Sequence, residues 1–99
     1  MIYELRTYDL RPGTVVEFEK RFSESIEARE KYSELVGFWH TELGQLNQVI
    51  HLWSYENLNE RTRIRAEALK DAKWPPPVTE FCERQESKIL IPSSFSRLS

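Results

Sequence analysis

The residues best suited to chemistry cluster in His51-Leu52-Trp53-Ser54-Tyr55. In an extended segment every second side chain shares a face, so His51, Trp53 and Tyr55 point the same way. An imidazole titrates near neutrality, and set among aromatic rings it could act as a general acid or base. A hairpin with an odd loop around Gly44 sets Trp39 opposite His51 and Thr41 opposite Val49, adding both to that face. The opening segment supplies Glu4, Arg6 and Tyr8 on one side, a charge row that reads either as solvated surface or as the wall of a polar pocket. Glu4, Arg6, Tyr8, Trp39, Thr41, His51, Trp53 and Tyr55 are therefore the expected ligand-binding set, an apolar cleft with a few convergent polar groups. His51 is the candidate catalytic residue. The competing reading packs His51 inside a filled core, with Trp39, Trp53 and Tyr55 occupying volume.

Other groups carry weaker signals. His40 and Glu42 share one side of a strand, as a metal site would want, but no third ligand stands at a suggestive spacing, so no metal is expected. Cys82 has no basic or histidine neighbour in sequence and reads as a packed thiol. Arg61, Arg63 and Arg65 make one helix basic; most of that is solvated surface, with Arg61 or Arg65 able to reach an anionic group at a pocket rim. Glycine-rich phosphate loops, serine elbows and paired zinc half-sites are missing.

The elements that must position these residues follow from pattern. Ile2 to Leu10 reads as a strand. Arg11-Pro12-Gly13 is a turn, and Thr14 to Glu17 has the form of a capping box. Val15, Phe18, Phe22 and Ile26 form the apolar stripe of a helix ending near Tyr32 to Leu35, with Glu17–Arg21 and Glu27–Lys31 as i, i+4 pairs. Two strands from Val36 to Glu56 flank the turn at Leu43 to Asn47. Asn57 caps a second helix through about Ala72, with Ile64, Ala68, Leu69 and Ala72 inward. Pro75 to Pro77 break it. A short helix restarts at Pro77 with Val78, Phe81, Cys82 and Gln85 on one side, and Ser87 to Ile91 form the last strand. The tail carries Phe95 and Leu98.

Composition bounds the rest. The 99 residues make one domain, residues 1–99, with 39% hydrophobic and 30% charged residues, a thin fold with much surface. A net charge of −2 without a basic stripe argues against a nucleic-acid partner. No apolar run is long enough for a membrane span, and the N-terminus has no secretory hydrophobic core. A single cysteine favours a reducing compartment, and a cytoplasmic protein is expected.

The order β-α-β-β-α-β with a broken second helix is the ferredoxin-like α+β pattern: a four-stranded antiparallel sheet with both helices on one face. Its other face is bare, and a second copy using the same patch is the simplest cover, giving a homodimer. Several stretches resemble the NIPSNAP family: Ile2-Tyr-Glu-Leu-Arg-Thr-Tyr8 with Pro12-Gly13, Trp39-His-Thr-Glu-Leu-Gly44, Leu46-Asn-Gln-Val-Ile-His-Leu-Trp-Ser-Tyr55, and Ile89-Leu-Ile-Pro92 before Phe95-Ser96. The chain departs from that family at Pro75 to Pro77 and at Arg97. The resemblance implies a dimeric α/β barrel, and it implies no defined activity.

These readings lead to a homodimer whose barrel interior binds a small aromatic or hydrophobic molecule, with cofactor-independent chemistry open. The alternatives are a non-catalytic interaction module whose barrel is simply its core, and a haem-binding domain with His51 or His40 as ligand.

Overall fold

The computed structural model describes residues 1–99. In chain order the elements are β1 (Ile2–Leu10), α1 (Val15–Glu30), β2 (Leu35–His40), β3 (Gln48–Tyr55), α2 (Leu58–Ala68), a 3-10 turn (Thr79–Phe81) and β4 (Cys82–Leu90). The strands form one antiparallel-paired sheet in the order β2-β3-β1-β4, which is the ferredoxin-like α+β fold. Strands β1 and β3 take the centre, as suits the two segments richest in tyrosine, tryptophan and β-branched residues.

Both helices lie on the sheet face that carries Tyr8, Val49, His51, Trp53 and Tyr55. Strands β1 and β2 run parallel with β3 between them, so α1 is a crossover, and a right-handed crossover admits only one face. Phe18 and Phe22 of α1 are buried there, Phe18 edge-on to Tyr8 at 5.9 Å and Phe22 at 4.9 Å from Phe38. Burying each such ring contributes about 1.5–3 kcal/mol. Ile64 and Ala68 of α2 cover the other flank, with Val78 and Phe81 of the 3-10 segment closing the end of the core.

Several local expectations change. At α1 the Thr14 hydroxyl makes no cap; it donates to the Arg11 carbonyl at 2.7 Å, and Glu17 accepts from Arg21 at 3.0 Å, so the turn and the ion pair outcompete the capping box. Helix α2 stops at Ala68, four residues short of Ala72, and Leu69 is exposed. Asn57 does cap it, accepting from the Glu60 amide at 2.8 Å. After the prolines a single 3-10 turn replaces the expected helix, and β4 starts at Cys82, earlier than Ser87. Val78 and Phe81 are buried as expected, but pairing with β1 from Leu10 onward claims the residues that follow.

The hairpin register differs by one residue. Phe38 lies opposite His51, and Trp39 opposite Ile50. Such a slip sends every β2 side chain to the other face. Asn47 adopts a left-handed φ of 58°, and its carbonyl accepts from the Leu10 amide at 2.8 Å, fixing the loop end against β1. A bulge between Leu35 and Gly37 adjusts the far end. Trp39 therefore faces away from the helices, its indole lying over Gly37, where an added Cβ would meet the ring. On this open face Leu5, Thr7, Ile50 and Leu52 are half-buried and Trp39 is 51% exposed. The chain end crosses one corner of it: the Tyr3 hydroxyl donates to the Leu98 carbonyl at 2.6 Å, while Phe95 stays exposed. None of the helices is long and apolar enough to cross a membrane.

Candidate functional site

A cavity of about 210 Å³ lies between the sheet and the helices, lined by Glu4, Arg6 and Tyr8 of β1, His51, Trp53 and Tyr55 of β3, Phe22 and Arg29 of α1, Arg65 of α2, and Leu69, Trp74 and Pro75 of the following segment. Six of the eight expected ligand-binding residues meet here. Trp39 and Thr41 do not, because the hairpin register turns Trp39 to the open face and ends β2 before Thr41. Phe38 takes the place expected of Trp39, stacked on His51 at 5.2 Å and 17°. This cavity lies on the helix-covered face of the sheet, walled by the chain's own helices, whereas the expected barrel interior would lie on the open face.

Glu4 is fully buried and holds the polar side together. Arg61 grips it with two bonds, Nε to Oε1 at 3.0 Å and Nη2 to Oε2 at 2.8 Å. Arg6 reaches Oε2 at 3.2 Å and Arg65 at 3.4 Å, and the Ser87 hydroxyl donates a short bond to the same oxygen. Burial alone would raise this carboxyl, but the bonds from Arg61 and Ser87 and the charges of Arg61 and Arg6 bring it down to about 2. Arg61 and Arg65, expected mostly as solvated surface, thus both reach an anion, and that anion is the chain's own Glu4.

His51 is 2% exposed and enclosed by rings: Tyr8 edge-on at 5.0 Å, Phe22 at 5.3 Å and Phe38 stacked. Trp53 Nε1–H can only donate, and it lies 2.7 Å from His51 Nδ1. Nδ1 is therefore the acceptor and, in the neutral ring, the proton sits on Nε2. Burial first, then the charge of Arg6, lowers the His51 pKa to about 3, so the ring is neutral near pH 7. Its Nε2–H has no partner, the only buried side-chain polar atom so placed. Such an imidazole polarises an oxygen by donation but has no free lone pair to take a proton or bind iron. These residues do not fit haem ligation through His51, and the cavity is far smaller than a porphyrin.

Sequence reasoning missed Arg29. It is 3% exposed, its Nη2 donating to the Tyr55 hydroxyl and its Nη1 to the Ser33 hydroxyl, each at 2.7 Å. The guanidinium lies over Trp53, 4.5 Å from the ring centre, with Trp74 at 5.7 Å. The available signal was its position: it falls three residues beyond Ile26 and prolongs the apolar stripe of α1. Trp74 closes the cavity edge-on to Phe22 at 5.5 Å. Elsewhere, His40 pairs with Glu19 of α1 at 2.9 Å rather than joining Glu42. Cys82 is half-buried, its thiol pushed up by burial.

Mouse NipSnap homolog 3B is 38% identical over 97 residues, covering 91% of this chain and 39% of its own length. The chain thus spans about two fifths of the curated relatives it matches. A solved NIPSNAP family protein of unknown function from Agrobacterium tumefaciens superposes with a TM-score of 0.94 at 35% identity, covering all of this chain and 94% of that one. An uncharacterised NIPSNAP-like domain protein from Burkholderia xenovorans is 42% identical with a TM-score of 0.86, covering 96% and 87%. A mutant of MhuD with two manganese protoporphyrin IX bound per active site shares the fold alone, at 14% identity and a TM-score of 0.71. The NIPSNAP family model matches residues 3–97, so a match that takes in the sheet, both helices and every wall of the cavity assigns this chain to the NIPSNAP family.

Proposed function

We propose that the chain is a small-molecule-binding domain that holds a flat, ring-bearing ligand in the cavity between sheet and helices, and that it pairs as a homodimer through its open sheet face. The observation that carries the reading is a cavity lined by aromatic rings with His51 in its wall, the ring's Nε2–H buried and left without an acceptor. A buried donor left without an acceptor costs about 1–3 kcal/mol, a loss that a ligand oxygen would recover once a small side-chain shift opens the Nε2–H to the cavity. The volume suits a small ring system, since about 150 Å³ is enough for benzene. Chemistry at such a site would be cofactor-independent and would consist of polarising an oxygen with a neutral imidazole. The lone, half-buried Cys82 supports a reducing, cytoplasmic setting.

Native mass spectrometry of the freshly purified chain tests both parts. The expected result is a dimer carrying an added small mass that leaves on denaturation, and a His51→Ala dimer without it. A wild-type dimer free of added mass, and unstabilised by small aromatic compounds in thermal denaturation, would favour an interaction module and remove the ligand-binding reading.

A further inference from the structure

The cavity holds more positive charge than its own carboxylate can match. Arg6, Arg61 and Arg65 all converge on Glu4. Arg29 lines the same cavity and has no carboxylate partner. Both of its recorded bonds go to neutral hydroxyls, and they use two of the five N–H donors a guanidinium offers. Burial foremost pulls its pKa below the ordinary arginine value, with Arg65 adding to the effect. Four guanidiniums around one carboxylate leave three positive charges uncompensated, two of them on Arg29 and Arg65. Arg65 touches Glu4 only at 3.4 Å and its side chain is 41% exposed, so it can turn toward a ligand while Arg61 and Ser87 keep Glu4 satisfied. A buried charge without a counterion is costly. An anion placed between Arg29 and Arg65 removes that cost.

We propose that the ligand of this cavity is a small aromatic carboxylate, its charge met by Arg29 and Arg65 and its ring seated against Trp53 and Trp74. The proposal rests on the cavity reading above and goes beyond it by assigning the ligand's charge. Planar guanidiniums match carboxylates with paired hydrogen bonds, and the indole walls match a ring.

Isothermal titration of the whole chain with benzoate, its neutral isostere benzamide, and inorganic phosphate decides the matter. Benzoate is expected to bind about tenfold more tightly than benzamide, the gain of roughly one charge-assisted bond. Arg65→Gln should reduce that preference several-fold, and Arg29→Lys, which keeps the charge but loses the fork, should reduce it too. Should Arg29→Lys misfold, Arg65→Gln carries the test alone. Arg21→Gln, at an ion pair with Glu17 and Glu80 outside the cavity, should change nothing. Equal binding of benzoate and benzamide would overturn the anion and leave the cavity reading standing. Phosphate matching benzoate while benzamide is silent would overturn the aromatic part. Silence from all three would overturn both readings.

Discussion

His51 and Glu4 lie on neighbouring strands in the same wall of the cavity with opposite protonation habits, and both make the fold sensitive to acid. His51 stays neutral in the folded chain down to about pH 3, whereas in the unfolded chain it takes a proton near 6.5. Between those values the unfolded state binds more protons, so stability falls as the pH is lowered. Glu4 has its folded pKa near 2 against 4.5 unfolded; its contribution is complete above 4.5 and is lost as the pH falls toward 2. Urea unfolding across pH 7 to 3 should therefore show stability declining first from His51 and then, below about 4.5, from both. In His51→Gln the decline between 6.5 and 4.5 should flatten; a wild-type slope in the variant would show that another group drives it. How much of the site could be read from sequence follows from the same residues. Alternation along β1 and β3 correctly joined Glu4, Arg6, Tyr8, His51, Trp53 and Tyr55. Arg29 stayed hidden, because an arginine among glutamates on a helix reads as surface unless its place on the apolar stripe is given more weight than its charge.

At the scale of elements, α2 is the arm that presents Arg61 and Arg65 to Glu4. Its own hydrophobic anchor is modest, two buried residues in Ile64 and Ala68. The Asn57 cap therefore matters: the side chain takes the Glu60 amide, and its carbonyl takes the Arg61 amide at 3.0 Å, one turn into the helix. Asn57→Ala should cost about 1 kcal/mol in chemical denaturation, and Asn57→Asp should restore most of it. Equal stability of the alanine variant would mean that packing alone holds the first turn. The cap was legible because asparagine before a helical pattern has a local cause. The hairpin register was not, because it depends on Asn47 adopting positive φ and on the bulge near Gly37, neither of which alternation can reveal. The right-handed crossover, which sets the face that the helices cover, is likewise a property of three strands together.

The whole molecule is a one-sided sandwich with extents of 38 × 34 × 19 Å, with both helices on one sheet face and the chain end crossing a corner of the other. Trp39, Leu5, Ile50 and Leu52 lie there, the patch that a two-fold interface would use twice. Trp39→Lys should convert the proposed dimer to a monomer in light scattering while circular dichroism keeps the secondary structure. A dimer that survives the lysine would place the interface elsewhere. The order of elements was legible from the sequence because each strand and helix carries its own period; the pairing of distant copies is a matter of surface.

Strand β1 lies at the centre of the sheet, between β3 and β4, and its Glu4 is held by Ser87 from a strand 83 residues further on. During synthesis the first nine-residue strand therefore waits for one partner until the last strand has left the ribosome. Until then it presents a free edge and a carboxylate lacking one of its donors. Contacts of such sequence separation form late and slow the search for the native state. The domain should consequently be intolerant of C-terminal truncation in a way its small size would not suggest. A nascent chain ending before Cys82 would have the arginines and the aromatic wall in hand, yet one side of the central strand would still be open.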